Sequence, residues 1–340
     1  MSGSAIIGCG GISALHGAAL TELGLPIGAC CDVLPERAEA FAQRFGGEPY
    51  GDYLQMLERA RPEAVHLCLP HYLHAPVALA CLERGIPVLT EKPVSILARD
   101  GARMCSLAAR QGVQLGVCFQ NRFNDGSRFA KEALESGDLG RPLAARAVVM
   151  WHRDQAYYDT GAWRGRWETE GGGVAINQAI HTLDLLCWLL GPARSVDARI
   201  ANHSIPGIEV EDTAEGTIEF PGARACFYLT NAYGADRPPE IEVLCERGSV
   251  RIEGEAAWVR KGNRLLPSPT PTAQVTPGLG KACYGNGHIR LIANFYRALR
   301  GEEPLLVTGE EGLRTQELVS GLYASARLGR PVALEGGCGA

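Results

Sequence analysis

The sequence lacks what would tie it to a membrane or to nucleic acid. No apolar run reaches the ~18 residues that a spanning helix needs, and Met1–Ser4 lead straight into an apolar strand with no basic leader or cleavage pattern. These absences predict a cytoplasmic chain with no membrane partner. Nor is there a basic stripe: 33 Lys and Arg lie interspersed with 38 Asp and Glu, for a net charge of −5, which argues against binding a phosphate backbone. The 12 cysteines are scattered, with no C-x-x-C and no Cys/His cluster at zinc spacing. Reduced, buried thiols and no metal are the expectation. No internal repeat and no linker long enough to separate independent modules is found.

What is present suits a globular α/β protein: 340 residues, 46% hydrophobic, with 42 glycines. That length predicts two domains, placed at 1–120 and 121–340. Up to about residue 119, short β-type runs (Ala5–Ile7, Pro26–Cys31, Ala64–Leu69, Val88–Thr90, Gln114–Phe119) alternate with helical stretches such as Pro35–Phe45. Such alternation implies a parallel sheet with crossover helices, a Rossmann fold. Beyond Gln120 come a helix (Gly126–Glu135), a strand (Ala144–Trp151), a long helix and consecutive strand-like runs from Ser195 to Val259. Strands in succession predict an open, mostly antiparallel sheet in a second α/β domain. Pro267–Gly287 reads as a loop, and helices at His288–Leu299 and Glu310–Leu328 close the chain, with room to pack back on the first domain.

The first strand is followed by Gly8-Cys9-Gly10-Gly11-Ile12-Ser13 and then by a helical run. A dinucleotide fold turns here: glycine lets the backbone approach a pyrophosphate, and the helix N-terminus offers N–H groups and partial positive charge. Ser13 takes the place of the usual third glycine and is small enough to preserve helix–strand packing. Asp32, 22 residues beyond Gly10 at the end of the second strand, can accept hydrogen bonds from the adenosine ribose and would repel a 2′-phosphate. NAD is therefore expected over NADP, although Arg37 could offset that repulsion.

Two further strand ends, Leu69-Pro70-His71-Tyr72-Leu73-His74 and Thr90-Glu91-Lys92-Pro93, fall at the edge where open α/β sheets hold ligands. Lys92 is thereby placed beside the nicotinamide, where it could donate to a substrate hydroxyl or lower its pKa. After Gly171-Gly172-Gly173, Asn177, His181 and Asp184 stand at i, i+4 and i+7 among Ile176, Ile180, Leu183, Leu185, Leu186, Leu189 and Leu190. A polar stripe on a helix apolar in its other directions needs partners, and a ligand cavity would supply them. His66 reads as a core residue, His16 and His203 carry no functional signal, and Trp167, Tyr157 and Tyr158 are divided between a sugar-stacking wall and packing.

Together the segments GCGGIS, LPHYLHAPVALACLERGIPVLTEKP, WRGRWETEGGGVAINQAIHTLDLLCWLLG and YGNGH resemble the glucose-fructose oxidoreductase/inositol dehydrogenase (Gfo/Idh/MocA) family over essentially the whole chain. The resemblance implies a second domain whose sheet serves as oligomer interface, hence a homodimer or homotetramer, and a small sugar or polyol as substrate. It implies Lys92 as the catalytic lysine of E-K-P and His181 as general acid/base. Cofactor contacts would come from Gly8, Gly10, Gly11, Ile12, Ser13, Asp32, Arg37, Leu69, Pro70, His74, Glu91, Lys92, Pro93, Asn121, Trp163 and Arg164. Substrate contacts would come from Lys92, Arg122, Asn177, His181, Tyr284 and His288, while His152 could line the pocket or simply end a strand. One position departs from the polyol dehydrogenases of the family: Asn177 stands where many have aspartate. Asparagine cannot carry a proton at neutral pH, so a relay through it is in doubt, and the substrate expectation moves toward sugar rings and sugar acids, often at C3. Two other readings remain open at this stage: redox-neutral glycoside cleavage by transient oxidation with retained NAD, and a non-catalytic dinucleotide-dependent sensor.

Overall fold

The computed structural model describes residues 3–270 and 287–334. β1 (Ser4–Ile7) is wholly buried and stops at Gly8, whose φ of +91° turns the chain toward α1 (Ser13–Glu22). The alternation then repeats through β2 (Ile27–Cys31), α2 (Pro35–Phe45), β3 (Glu48–Tyr50), α3 (Tyr53–Ala60), β4 (Val65–Leu67), α4 (His71–Glu83), β5 (Val88–Thr90), α5 (Ala98–Gln111) and β6 (Leu115–Val117). Pro35 opens α2 and Gly46, with φ +88°, follows its end, as helix-boundary chemistry favours. The strands lie in the order β3-β2-β1-β4-β5-β6, every neighbour parallel. Chain direction across the sheet reverses between β1 and β4, and ligands of open α/β sheets bind outside the strand ends at such a point. β3 was not anticipated, because three residues with a proline at a sheet edge carry no readable period.

A 3-10 turn (Gln120–Phe123) leads to α6 (Asp125–Glu135), β7 (Pro142–Met150), α7 (Gln155–Tyr158), α8 (Ile180–Leu190) and the strands β8 (Ser195–Ala201), β9 (Thr213–Phe220), β10 (Ala223–Thr230), β11 (Glu240–Cys245), β12 (Gly248–Glu253), β13 (Ala256–Lys261) and β14 (Arg264–Pro267). α9 (Gly287–Leu299), α10 (Gly309–Leu328) and β15 (Val332–Ala333) complete the described chain. The second sheet runs β14-β13-β12-β11-β7-β10-β9-β8-β15 and is antiparallel except where β7 meets β10, so the expected mostly antiparallel sheet is the one observed. β10 buries Ala223, Ala225, Phe227 and Leu229 while Arg224, Cys226 and Tyr228 face out, the alternation of a sheet with one covered face.

The described residues divide into two compact units. The first lies within 1–95, 99–120 and 273–313, and the second within 96–98, 121–272 and 314–340. In the first, α9 packs on α1. No helix among the described residues is long and apolar enough to cross a membrane.

Candidate active site

The glycine turn is built for close approach. A Cβ on Gly8 would meet the Cys68 carbonyl oxygen at 2.4 Å, whereas one on Gly10 or Gly11 would meet nothing within 4 Å. Gly8 is therefore required by the fold, and Gly10 and Gly11 leave open space at the start of α1. The Ser13 hydroxyl donates to the Gly10 carbonyl at 2.6 Å, closing the turn from the position a third glycine would occupy. Asp32, only 9% exposed, accepts the Cys9 N–H at 2.9 Å on one oxygen and the Leu34 N–H at 3.0 Å on the other. Its carboxylate is thus oriented and keeps lone pairs for ribose hydroxyls. Val33, 84% exposed, and Leu34 supply apolar surface beside it, and Arg37 is exposed on α2. An open turn at a helix N-terminus, an oriented carboxylate and an adjacent apolar ledge fit a dinucleotide.

At the ends of β4 and β5 the backbone is tied from behind. His74, wholly buried in α4, places Nδ1 2.6 Å from the Pro93 carbonyl oxygen and Nε2 2.9 Å from that of Leu69. A residue expected among the cofactor contacts therefore clamps the two strand ends. Burial pulls its imidazole below the ordinary range, against the two carbonyls that favour the charged form. Leu69, Pro70 and Lys92 are half-buried at this edge, with Lys92–Pro93 a cis peptide.

Behind Lys92 lies a group of ionisable side chains. Glu91 is 7% exposed; its Oε1 stands 3.0 Å from His16 Nε2 and 3.8 Å from His288 Nε2. Burial raises the Glu91 carboxyl, but the bond to and charge of His16, with His288 and Lys92, outweigh it and hold it down at about 2. Burial pushes His288 to about 4, so it is neutral at physiological pH. His16, which carried no functional signal, and His66, buried as expected of a core residue, meet through Nδ1 at 2.8 Å, and His66 Nε2 lies 3.0 Å from the Tyr296 hydroxyl, itself bonded to Ser4. Cys118 Sγ is 4.0 Å from His16 Nε2. The donor atoms of His16, Glu91 and Cys118 lie within 4.8 Å of one another, a grouping that their separation in sequence conceals. One readable signal existed: a histidine in the otherwise apolar buried strand around His66 needs a partner.

In the second unit, the triple glycine is dictated by packing. A Cβ on Gly173 would fall 1.8 Å from the Glu211 carbonyl oxygen, and one on Gly172, at φ +148°, 2.0 Å from the Tyr323 hydroxyl. The Glu211 carboxylate accepts N–H bonds from Gly173 at 2.9 Å and Ala175 at 3.0 Å and the Tyr323 hydroxyl at 2.8 Å. Burial still pushes its carboxyl up to about 7. Because this anchored turn, closed by the Ala179 N–H donating to the Val174 carbonyl, runs on to Ala179, α8 begins at Ile180. The expected helical stripe is corrected accordingly: Asn177 precedes the helix, and only His181 and Asp184 are on it.

Two members of that stripe, Asn177 and Asp184, are partnered by protein groups. Asp184, fully buried, receives Arg122 Nε at 2.9 Å and Nη2 at 2.7 Å, and the Thr315 hydroxyl at 3.0 Å. Arg122, expected near substrate, is 1% exposed with its fork on Asp184. Asn177 donates to Glu170 and lies 3.5 Å from the Tyr157 hydroxyl, which also takes Gln178 Nε2 at 3.0 Å and Arg164 Nη1 at 2.6 Å. The Arg164 guanidinium covers the rings of Tyr157 at 4.6 Å and Trp163 at 4.5 Å. The structure thus brings Trp163, Arg164, Tyr157, Gln178 and Asn177 into one cluster. His181 is half-buried at the second position of α8, Asn121 is half-buried in the 3-10 turn, and His152 is exposed with Nδ1 2.9 Å from the Tyr233 carbonyl oxygen. Tyr284 lies outside the described residues.

Comparison with known proteins agrees with this two-part fold. Residues 3–119 match an oxidoreductase family with an NAD-binding Rossmann fold, and residues 127–251 match the GFO/IDH/MocA C-terminal domain. The chain is 29% identical to D-glucoside 3-dehydrogenase of Escherichia coli (strain K12), over 97% of each chain. It is 31% identical to inositol 2-dehydrogenase of Burkholderia cenocepacia (strain HI2424), over 73% of this chain and 72% of the relative. The crystal structure of the WlbA dehydrogenase from Bordetella pertussis, in complex with NADH and UDP-GlcNAcA, superposes with a TM-score of 0.85 at 33% identity, covering 97% of this chain and 98% of that one. With an NAD-binding Rossmann unit, the C-terminal domain that accompanies it and relatives matched nearly end to end, this chain belongs to the Gfo/Idh/MocA family of oxidoreductases.

Proposed function

We propose that the protein is an NAD-dependent dehydrogenase that oxidises a ring hydroxyl, or reduces the matching ketone, of a sugar, glycoside, sugar acid or inositol, with C3 of a sugar as the favoured position. The carrying observation is the half-buried Lys92 at the ligand-binding edge of the parallel sheet, on a turn held by His74 and Glu91. The relatives named for a glucoside 3-dehydrogenase and an inositol 2-dehydrogenase support a ring hydroxyl as the reacting group, and the neighbour bound to UDP-GlcNAcA supports a sugar acid within the range. In this reading residues 1–120 bind the dinucleotide, 121–340 bind substrate and form a homo-oligomer, and the protein works in the cytoplasm.

NAD supplies the hydride acceptor. His181 takes the hydroxyl proton, since an imidazole nitrogen can accept one. The Lys92 ammonium stabilises the alkoxide that develops. Asn177, held by Glu170, hydrogen-bonds a substrate hydroxyl without accepting its proton. Trp163 and Arg164 bound the nicotinamide side, and His152, Tyr284 and His288 contact substrate. Arg122 is left out of the substrate set, because its fork is committed to Asp184.

The test is NAD reduction across inositols, free sugars, glycosides and sugar acids, followed by Lys92→Met and His181→Ala on the best substrate. Each variant is expected to lose at least ~100-fold in kcat with NAD affinity close to wild type. Near-normal turnover in either would overturn the assignment. Ketone and NADH should form one to one, whereas glycoside cleavage without net NADH would replace dehydrogenation with the redox-neutral cycle.

A further inference from the structure

The chain of side chains behind Lys92 has a property that a list of its contacts hides. Glu91, His16, His66, Tyr296 and Ser4 are linked in that order, all at most 7% exposed and all in the first unit. Glu91 follows β5 at the carboxyl edge of the parallel sheet, and Ser4 opens β1 at its amino edge. The links therefore run from the ligand edge to the opposite edge.

The middle link joins two Nδ1 atoms at 2.8 Å, so one ring must donate and the other accept. With His66 neutral, each choice fixes every remaining bond. If His66 donates to His16, its Nε2 must accept from Tyr296, Tyr296 accepts from Ser4, and His16, neutral, donates Nε2–H to the Glu91 carboxylate. If His16 donates to His66, every bond beyond it reverses: His66 donates to Tyr296 and Tyr296 to Ser4. Glu91 and His16 then share one additional proton. The two fillings differ by one proton and by the direction of the whole chain, which is the property of a proton wire.

We propose that these five residues form a buried one-proton store that exchanges with solvent through the Ser4 end and sets the charge behind Lys92. Loaded, His16 is an imidazolium and balances Glu91. Unloaded, Glu91 is left as an uncompensated carboxylate next to Lys92 and holds the lysine charged. Oxidation of a hydroxyl to a ketone gives NADH and one proton, and reduction consumes one. A loaded store can return one proton to a reduction and an unloaded store can take one up from an oxidation, the shift along the chain making one N–H or O–H bond for each one broken. His16 is thus a positioning residue acting through Glu91, and this role in turnover rests on the proposed dehydrogenase.

The surroundings favour the loaded form. Burial opposes a charge on His16, but the Cys68 and Cys118 sulfurs and the Glu91 carboxylate prevail and raise it well above the ordinary value. Burial and the charge of His16 hold His66 well below it. Among the described residues, the titratable groups facing His16 are His66 and Cys68 from the β4 segment, Glu91 after β5, Cys118 after β6, and His288 on α9, with Tyr296 one link further.

The experiment uses the full chain labelled with 15N-histidine and reads the rings directly, without turnover. At pH about 8, above the ordinary histidine range, one buried histidine should keep both ring nitrogens protonated, and its signals should vanish in His16→Gln. Tyr296→Phe, which removes the middle oxygen but keeps the ring, should lengthen the solvent-exchange lifetime of those ring protons at least ~10-fold. Ser4→Ala, which deletes only the last oxygen, should do the same and covers the case in which Tyr296→Phe fails to fold. The proposal is overturned if His16 is singly protonated at that pH, if neither cut slows exchange, or if the purified protein holds one equivalent of zinc on His16, Glu91 and Cys118, since a metal-bound Nε2 carries no proton. A protein with these signatures but no turnover on any ring alcohol would sink the dehydrogenase reading and leave the store intact.

Discussion

Two buried carboxylates, one in each unit, are satisfied in opposite ways. Glu91 is paired with an imidazole, a group that can give its proton up, and Asp184 with a guanidinium, a group that cannot. The first pair has two charge states within reach and stands behind Lys92. The second has one, and it joins the 3-10 turn Gln120–Phe123, α8 and α10 through Arg122, Asp184 and Thr315. The choice of cation, more than the depth of burial, separates a carboxylate that can take part in proton chemistry from one that only holds helices together.

The largest effect expected from this contrast is on stability. Arg122→Met leaves Asp184 buried without its counter-charge and should cost about 3–5 kcal/mol in urea unfolding. The double variant Arg122→Met/Asp184→Leu removes both charges and should recover most of that loss. A single variant that loses less than about 1 kcal/mol, the range of exposed pairs, would show that the pair behaves as a surface contact and break the comparison.

A third buried carboxylate sharpens it. Among the described residues Glu211 is paired with no cation, only with N–H and hydroxyl donors, and burial raises its carboxyl from 4.5 to about 7. Between those values the folded chain holds a proton that the unfolded chain has released. Stability from this group is therefore present below pH about 4.5 and lost as pH rises to about 7, by on the order of 3 kcal/mol in total. The difference in unfolding free energy between wild type and Glu211→Gln should fall across that window and be flat above it. His288, neutral down to about 4, contributes in the opposite direction over its own window, and for that reason the difference, and not the wild-type curve alone, is the measurement. A difference that rises with pH would mean that the three donors outweigh burial.

How far the sequence could be read follows from what kind of interaction each feature needs. The Rossmann half was legible because its signals are local: Gly8, with its positive φ, sits directly after an apolar strand, and Pro35 and Gly46 bracket α2. The second sheet was legible as a run of strands, but its parallel β7–β10 contact was not, since pairing partners leave no mark on either strand alone. Lys92 and His181 were singled out through motifs, which record chemistry and not contacts. Arg122 was placed near substrate by the family resemblance alone; the structure sets its fork on Asp184, 62 residues away. His16 was passed over because its partners are distant in sequence: Glu91 and His66 reach it only when the sheet has packed, and Tyr296, one link further, comes from α9.

The smallest predicted effect concerns a carboxylate that is satisfied by backbone alone. Among the described residues Asp32 binds two N–H groups and no cation, so its charge is oriented but not neutralised and can act on a ligand. Asp32→Ala removes the acceptor for ribose hydroxyls and the repulsion toward a 2′-phosphate together. NAD affinity should drop by about 10–100-fold, the 1.5–3 kcal/mol of a hydrogen bond to a charged group, while NADP affinity stays level or rises. Calorimetric titration of both dinucleotides against wild type and variant separates these effects. An equal loss for NAD and NADP would assign Asp32 to holding the Cys9 turn in shape, a structural duty like that of Asp184, and would move it to the other side of the comparison.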